Sequence, residues 1–77
     1  MVMYILYQTD AWLSYSSRDL IGVCTTKEKA LILARRQAKR SGKKLTEDEI
    51  ANLIDIMQTQ GREINYSIDK VPVNTLL

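Results

Sequence analysis

The side chains of this chain that could do chemistry are two carboxylates around a loop, one thiol and a run of cations. Asp10 and Asp19 bracket a stretch rich in hydroxyls (Ser14, Ser16, Ser17). A pair of acids held close together could divide general-acid and general-base work in a hydrolase. Short carboxylates beside a loop more often bond backbone N–H groups, and a turn or cap role is expected for both. Cys24 precedes Thr25-Thr26, close to an expected helix N-terminus, where a thiolate would be stabilised. Nucleophilic or redox use would need a base or a resolving thiol, and the chain has one cysteine and no histidine. Cys24 is therefore expected to pack as a small hydrophobe. The same counts remove the commonest general base, the commonest transition-metal ligand and any thiol-built zinc site. No catalytic set, metal or cofactor is expected, and the chain reads as non-enzymatic.

Two features suit binding instead. Trp12, Tyr15 and Arg18 lie along the loop, and these residue types are the most enriched at protein-contact hot spots. They could form a rigid contact surface for a protein partner. The competing reading folds Trp12 and Tyr15 back as a lid over a core that has no phenylalanine. The cations are the second feature. Residues Lys27 to Lys44 hold eight of the eleven Lys and Arg against one acid, Glu28, although the net charge is only +2. Arg35, Arg36, Lys39 and Arg40 share one side of a helix by the 3.6-residue period. Such a stripe could neutralise phosphates, so a small nucleic-acid binder is the alternative function. The competing reading is a solvated outer face, which any helix lying on a sheet must have.

The elements that carry these residues follow from periodicity. Met3 to Thr9 has high strand propensity and apolar bulk on both faces, as a central strand would. Asp19 to Cys24 reads as a second strand, with Gly22 marking a bulge or a close helix contact. A helix from Thr26 to Ser41 places Ala30, Ala34 and Ala38 on one narrow stripe, flanked by Leu31 and Leu33. A second, from Glu47 to Thr59, sets Ile50, Leu53, Ile54 and Met57 at i, i+3, i+4 and i+7. Thr25-x-x-Glu28 and Thr46-x-x-Glu49 read as capping boxes, with Gly42 and Gly61 as the left-handed stops. Glu63 to Val71 alternates as a half-buried third strand ended by Pro72. The expected fold is α+β: one β-β-α-α-β domain spanning 1–77, with two helices on one face of a three-stranded sheet.

Tyr4-Ile5-Leu6-Tyr7-Gln8-Thr9-Asp10-Ala11-Trp12, Ser16 to Val23, Gln58 to Gly61 and Asn74 to Leu77 resemble small proteins of similar length from gut bacteria and their phages. That group carries no assigned activity. The resemblance implies a bacterial or viral cytosolic setting, and small proteins of this kind often bind and modulate a host factor. No apolar run approaches the ~20 residues of a membrane span, and no basic leader opens the chain, so a cytoplasmic protein is expected. Two helices can cover only one face of a small sheet. Tyr4 and Leu6, or Met3, Ile5 and Tyr7, together with Leu20 and Ile21, are then left without cover, which predicts a homodimer unless the loop closes that face.

Overall fold

The computed structural model describes residues 2–61 and 64–72. Their order is β1 (Val2–Thr9), a single 3-10 turn (Tyr15–Ser17), β2 (Asp19–Cys24), α1 (Lys27–Arg40), α2 (Glu47–Ile56) and β3 (Asn65–Pro72). The fold is the expected small α+β arrangement. Its antiparallel sheet has the order β2-β1-β3, so β1 is the central strand that its two-sided apolar bulk predicts. β3 joins the free side of β1 along its whole length, from Val2↔Pro72 to Thr9↔Asn65.

Both helices pack on the face that holds Leu6, Tyr66 and Ile68. Ala30, Ala34 and Ala38 are fully buried there, because methyl side chains let α1 approach the strands closely. Gly22 serves that approach in two ways. It sits opposite Leu6 beside a bulge that leaves Ile21 as the extra residue of β2. A Cβ at Gly22 would also fall 2.5 Å from Cδ2 of Leu33 on α1. The register places Met3, Ile5, Tyr7, Leu20, Val23 and Val71 on the opposite face.

The helix ends show where local signals hold and where they yield. Thr46 and Glu49 close the capping box of α2: the Glu49 amide bonds Thr46 Oγ1, and the Thr46 amide bonds Glu49 Oε1. α1 departs by one residue from the expected box. Thr26 is its cap and accepts from the Lys29 amide, so the residue in the reciprocating position is a lysine and Glu28 cannot close the box. Gly42 ends α1 as expected, with φ 76. The Lys43 amide reaches Ala38 O at 2.8 Å and the Gly42 amide reaches Lys39 O at 3.1 Å, the two bonds of a Schellman motif.

α2 stops at Ile56 rather than near Thr59, and Met57, not Gly61, takes the left-handed conformation, with φ 61. A stronger partner draws off the expected last turn. Ile68 N bonds Met57 O at 2.8 Å and Thr59 N bonds Tyr66 O at 2.9 Å, so this segment lies along the outer edge of β3. That edge cover also corrects the half-buried reading of β3, because Asn65 and Ser67 are buried along with Tyr66 and Ile68. The expected α2 stripe shifts too: Leu53 is fully buried and Ile50 and Met57 pack beside it, but Ile54 is 45% exposed. Glu49 and Leu45 take the buried space instead. Glu63 and the segment after Pro72 lie outside the described residues. Among those described, no helix is long and apolar enough to cross a membrane.

Candidate functional site

The loop between β1 and β2 is organised by Asp10. Its Oδ1 accepts from the Trp12 amide at 3.0 Å and the Ser14 amide at 3.2 Å, while Oδ2 accepts from Ser14 Oγ at 2.8 Å. The Asp10 amide donates to Ser17 Oγ at 3.0 Å, and that hydroxyl donates to Ser14 O at 2.8 Å. The expected turn role is therefore what Asp10 performs. The Ser14 hydroxyl and amide, with the Trp12 amide, favour the carboxylate and hold its pKa below the ordinary 3.8. A general acid would need the opposite shift. Asp19 is exposed at the start of β2, where it pairs with Gln8.

Asn65 fixes the base of the loop from the far side of the sheet, with its amide almost fully buried. Nδ2 donates to Ala11 O at 3.1 Å and Gly61 O at 3.2 Å, with a longer reach to Asp10 O at 3.4 Å. Oδ1 accepts from Thr59 Oγ1 at 2.8 Å and from the Gly61 amide. One side chain thus ties the loop, the segment after α2 and β3 together. The sequence reading missed it, since Asn65 looks like an outward polar residue of an alternating strand. The nearby Thr59 and Gly61 were the one local hint of a partner.

The three loop residues expected to bind a partner divide into two roles. Trp12 is 84% and Tyr15 82% exposed, so neither folds back as a lid over the core. Arg18 is the support. Its guanidinium lies 4.4 Å from the centre of the Tyr15 ring and 4.8 Å from that of Tyr7, and Nη1 bonds Asp69 Oδ2 at 2.9 Å. The planar cation is thus held between two rings and a carboxylate. It holds Tyr15 in place at the margin of the open sheet face, where Leu20 and Val23 are more than half exposed. Leu13, with φ 55, bends the backbone next to Trp12 through a conformation that a non-glycine residue adopts at a cost of about 1 kcal/mol.

On the other side of the molecule, Arg35, Arg36, Lys39 and Arg40 are all exposed on the outer surface of α1. Lys43 is committed inward, to Glu49 Oε2 at 2.9 Å and Ile64 O at 3.3 Å. Burial pushes the Glu49 carboxyl up, but the Lys43 ammonium and the Thr46 amide outweigh it and leave the pKa below the ordinary 4.5. Cys24 is half-buried against the core, in keeping with a packing role.

The structure thus keeps the two candidate surfaces apart. The aromatic loop adjoins the open sheet face, and the basic stripe points away from the helix-covered one. The class these features define is a small α+β domain with two separate exposed surfaces. Comparison with protein-family models, with curated proteins and with solved structures finds no match to this chain.

Proposed function

We propose that this protein is a non-enzymatic binding module of the cytoplasm that engages a protein partner through Trp12 and Tyr15, with Arg18 holding Tyr15 in place. One observation carries the reading: two large aromatic side chains stand more than 80% exposed on a loop braced by its own hydrogen bonds. Aromatic side chains bury roughly 150–250 Å² each, and at about 25 cal/mol per Å² each ring could contribute several kcal/mol to an interface. A loop already ordered by Asp10 and Asn65 loses little further freedom on binding, so more of that energy would appear as affinity. The sequence resemblance to small bacterial and phage proteins agrees with modulation of a host or cellular factor.

Affinity capture from a bacterial lysate treated with nuclease, read by mass spectrometry, would nominate partners. The decisive step uses the purified partner. Trp12 is the only tryptophan, so its emission should shift to the blue on binding. Trp12→Ala and Tyr15→Ala should each weaken binding at least tenfold, about 1.4 kcal/mol, without changing the fold. Unchanged affinity in both variants would overturn the proposal.

The open sheet face beside the loop supports self-association as part of the same reading. Ile5, Tyr7, Leu20 and Val23 are adjacent there, and the ion pair on that side among the described residues, Arg18 with Asp69, is internally balanced. Two copies could therefore meet face to face without like-charge repulsion. Light scattering should give twice the 8.8 kDa chain mass. Leu20→Glu should return the mass to that of one chain, and a wild-type monomer at micromolar concentration would remove the dimer.

A further inference from the structure

The outer surface of α1 carries a charge pattern that neither the fold nor the aromatic loop requires. Arg35 and Lys39 are four residues apart, as are Arg36 and Arg40, and Arg36 and Lys39 are three apart. Like charges at these spacings repel and destabilise a helix. Among the described residues the ion pairs are Arg18 with Asp69 and Lys43 with Glu49, so none relieves these four cations. The dipole at the C-terminal end of α1 accounts for Lys39 and Arg40, which lie in its last turn. It does not account for Arg35 and Arg36, one turn earlier. The surface is also concave. A groove of about 500 Å³ is lined by Arg35, Lys39, Lys44 and Leu45, and a second of about 450 Å³ by Leu33, Arg36, Lys39 and Arg40. Lys39 lines both.

We infer that these paired grooves form a second binding site, for the phosphodiester backbone of a nucleic acid, with Arg35, Arg36, Lys39, Arg40 and Lys44 as the contacting groups. Charge complementarity selects the occupant. Guanidinium groups match phosphate oxygens in bidentate pairs, and three of the five cations are arginines. A lipid surface fits less well, because Ile32 is the only large apolar side chain of α1 that stands more than half exposed. No aromatic residue lines either groove, and its one amide side chain, Gln37, is engaged with Gln8. The site therefore meets the backbone without an aromatic platform for bases, and binding should depend more on phosphate charge than on sequence. It lies away from the aromatic loop and stands or falls separately from the protein-partner reading.

The test is fluorescence anisotropy with a labelled duplex of about 20 base pairs and a labelled single strand of the same length, titrated across salt. With about four phosphates neutralised, log affinity for the duplex should fall with a slope of about −3.6 against log salt, a roughly 150-fold loss between 50 and 200 mM. Arg35→Ala with Arg36→Ala should reduce the slope by about 1.8 and weaken binding at least tenfold at low salt, with an unchanged circular dichroism spectrum. Trp12→Ala should leave the titration as it was. Absence of binding by both probes at about 50 mM salt would overturn the inference. So would a slope that the double variant does not change, or co-sedimentation with phosphatidylserine vesicles in place of nucleic-acid binding.

Discussion

Replacing Asn65 with alanine tests the clasp on which the loop depends. The substitution removes an acceptor used by Thr59 Oγ1 and the Gly61 amide, and a donor used by Ala11 O, Gly61 O and, more distantly, Asp10 O. Each such bond contributes a net ~0.5–1.5 kcal/mol, and water can reach some of the partners because Ala11 and Gly61 are not fully buried. A loss of about 3 kcal/mol follows. Domains typically hold about 0.05–0.15 kcal/mol per residue, which gives roughly 4–12 kcal/mol here, so the loss is a large fraction of the whole. For a domain of this size it should lower the melting temperature by about 12–24 °C in a circular dichroism melt. The anisotropy of Trp12 fluorescence should also fall in the folded variant, as the base of its loop loosens. Asn65→Asp sharpens the test. It keeps the shape but sets a carboxylate against backbone carbonyl oxygens, which raises its folded pKa. The penalty should be present at pH 7 and shrink as pH falls below that raised value, vanishing below the unfolded one. A melt of Asn65→Ala within about 4 °C of wild type would refute the clasp.

Other variants probe the core and the charges. Leu53→Ala should cost about 2–5 kcal/mol, because Leu53 is the fully buried apolar side chain that α2 gives to the core, and an unchanged melt would remove it from the core. Tyr66→Phe should be neutral or stabilise by up to about 1 kcal/mol in urea titration, since the buried hydroxyl lies toward Ser41 but makes no well-formed hydrogen bond among the described residues. A loss above that size would reveal a bound partner for the phenol, whose pKa burial pushes up. Asp10 and Glu49 have depressed folded pKa values, so the stability they contribute is present above the unfolded values near 3.8 and 4.5. It is lost as pH falls through the lower folded ones. The urea midpoint should therefore drop as pH falls below about 4.5, and Glu49→Gln should flatten part of that decline; an equal decline in the variant would exclude Glu49 as a source.

Features set by neighbours in the chain were readable in advance. The Thr46–Glu49 box, the Gly42 stop and the Ala30, Ala34, Ala38 stripe each depend on contacts or periodicity within one helix. Gly22 was readable as well, because a glycine inside a strand has few other uses. What escaped depends on residues far apart. The end of α2 is decided by pairing of Met57 and Thr59 with β3, and a periodicity argument continues straight through it. The capping box marks Glu49 out from Glu47 and Asp48, but its burial rests on Lys43 as well as the Thr46 amide, and that ion pair is not written in the box. For the candidate site, residue type singled out Trp12, Tyr15 and Arg18. Their division into two exposed rings and one internal brace needed Tyr7 and Asp69, the latter 51 residues distant from Arg18. The groove between Arg35, Lys39 and Leu45 arises only where the turn after α1 brings Lys44 and Leu45 back alongside the helix.

The central position of β1 has a consequence for synthesis. A ribosome makes β1 and β2 first, but the partner for the other side of β1 comes last and is complete only after roughly fifty further residues, which include both helices and β3 itself. At roughly 5–20 residues per second, that leaves an interval of about 3–10 s before β3 exists. During it the nascent hairpin offers an unpaired edge next to Tyr4, Ile5, Leu6 and Tyr7, a short strand-prone segment without charge or proline. A chaperone that shields this edge, or a β3 donated by another newly made chain, would compete with correct closure. The output of native protein from a cell should therefore depend on translation speed between Cys24 and Asn65 more than on the stability of the finished fold.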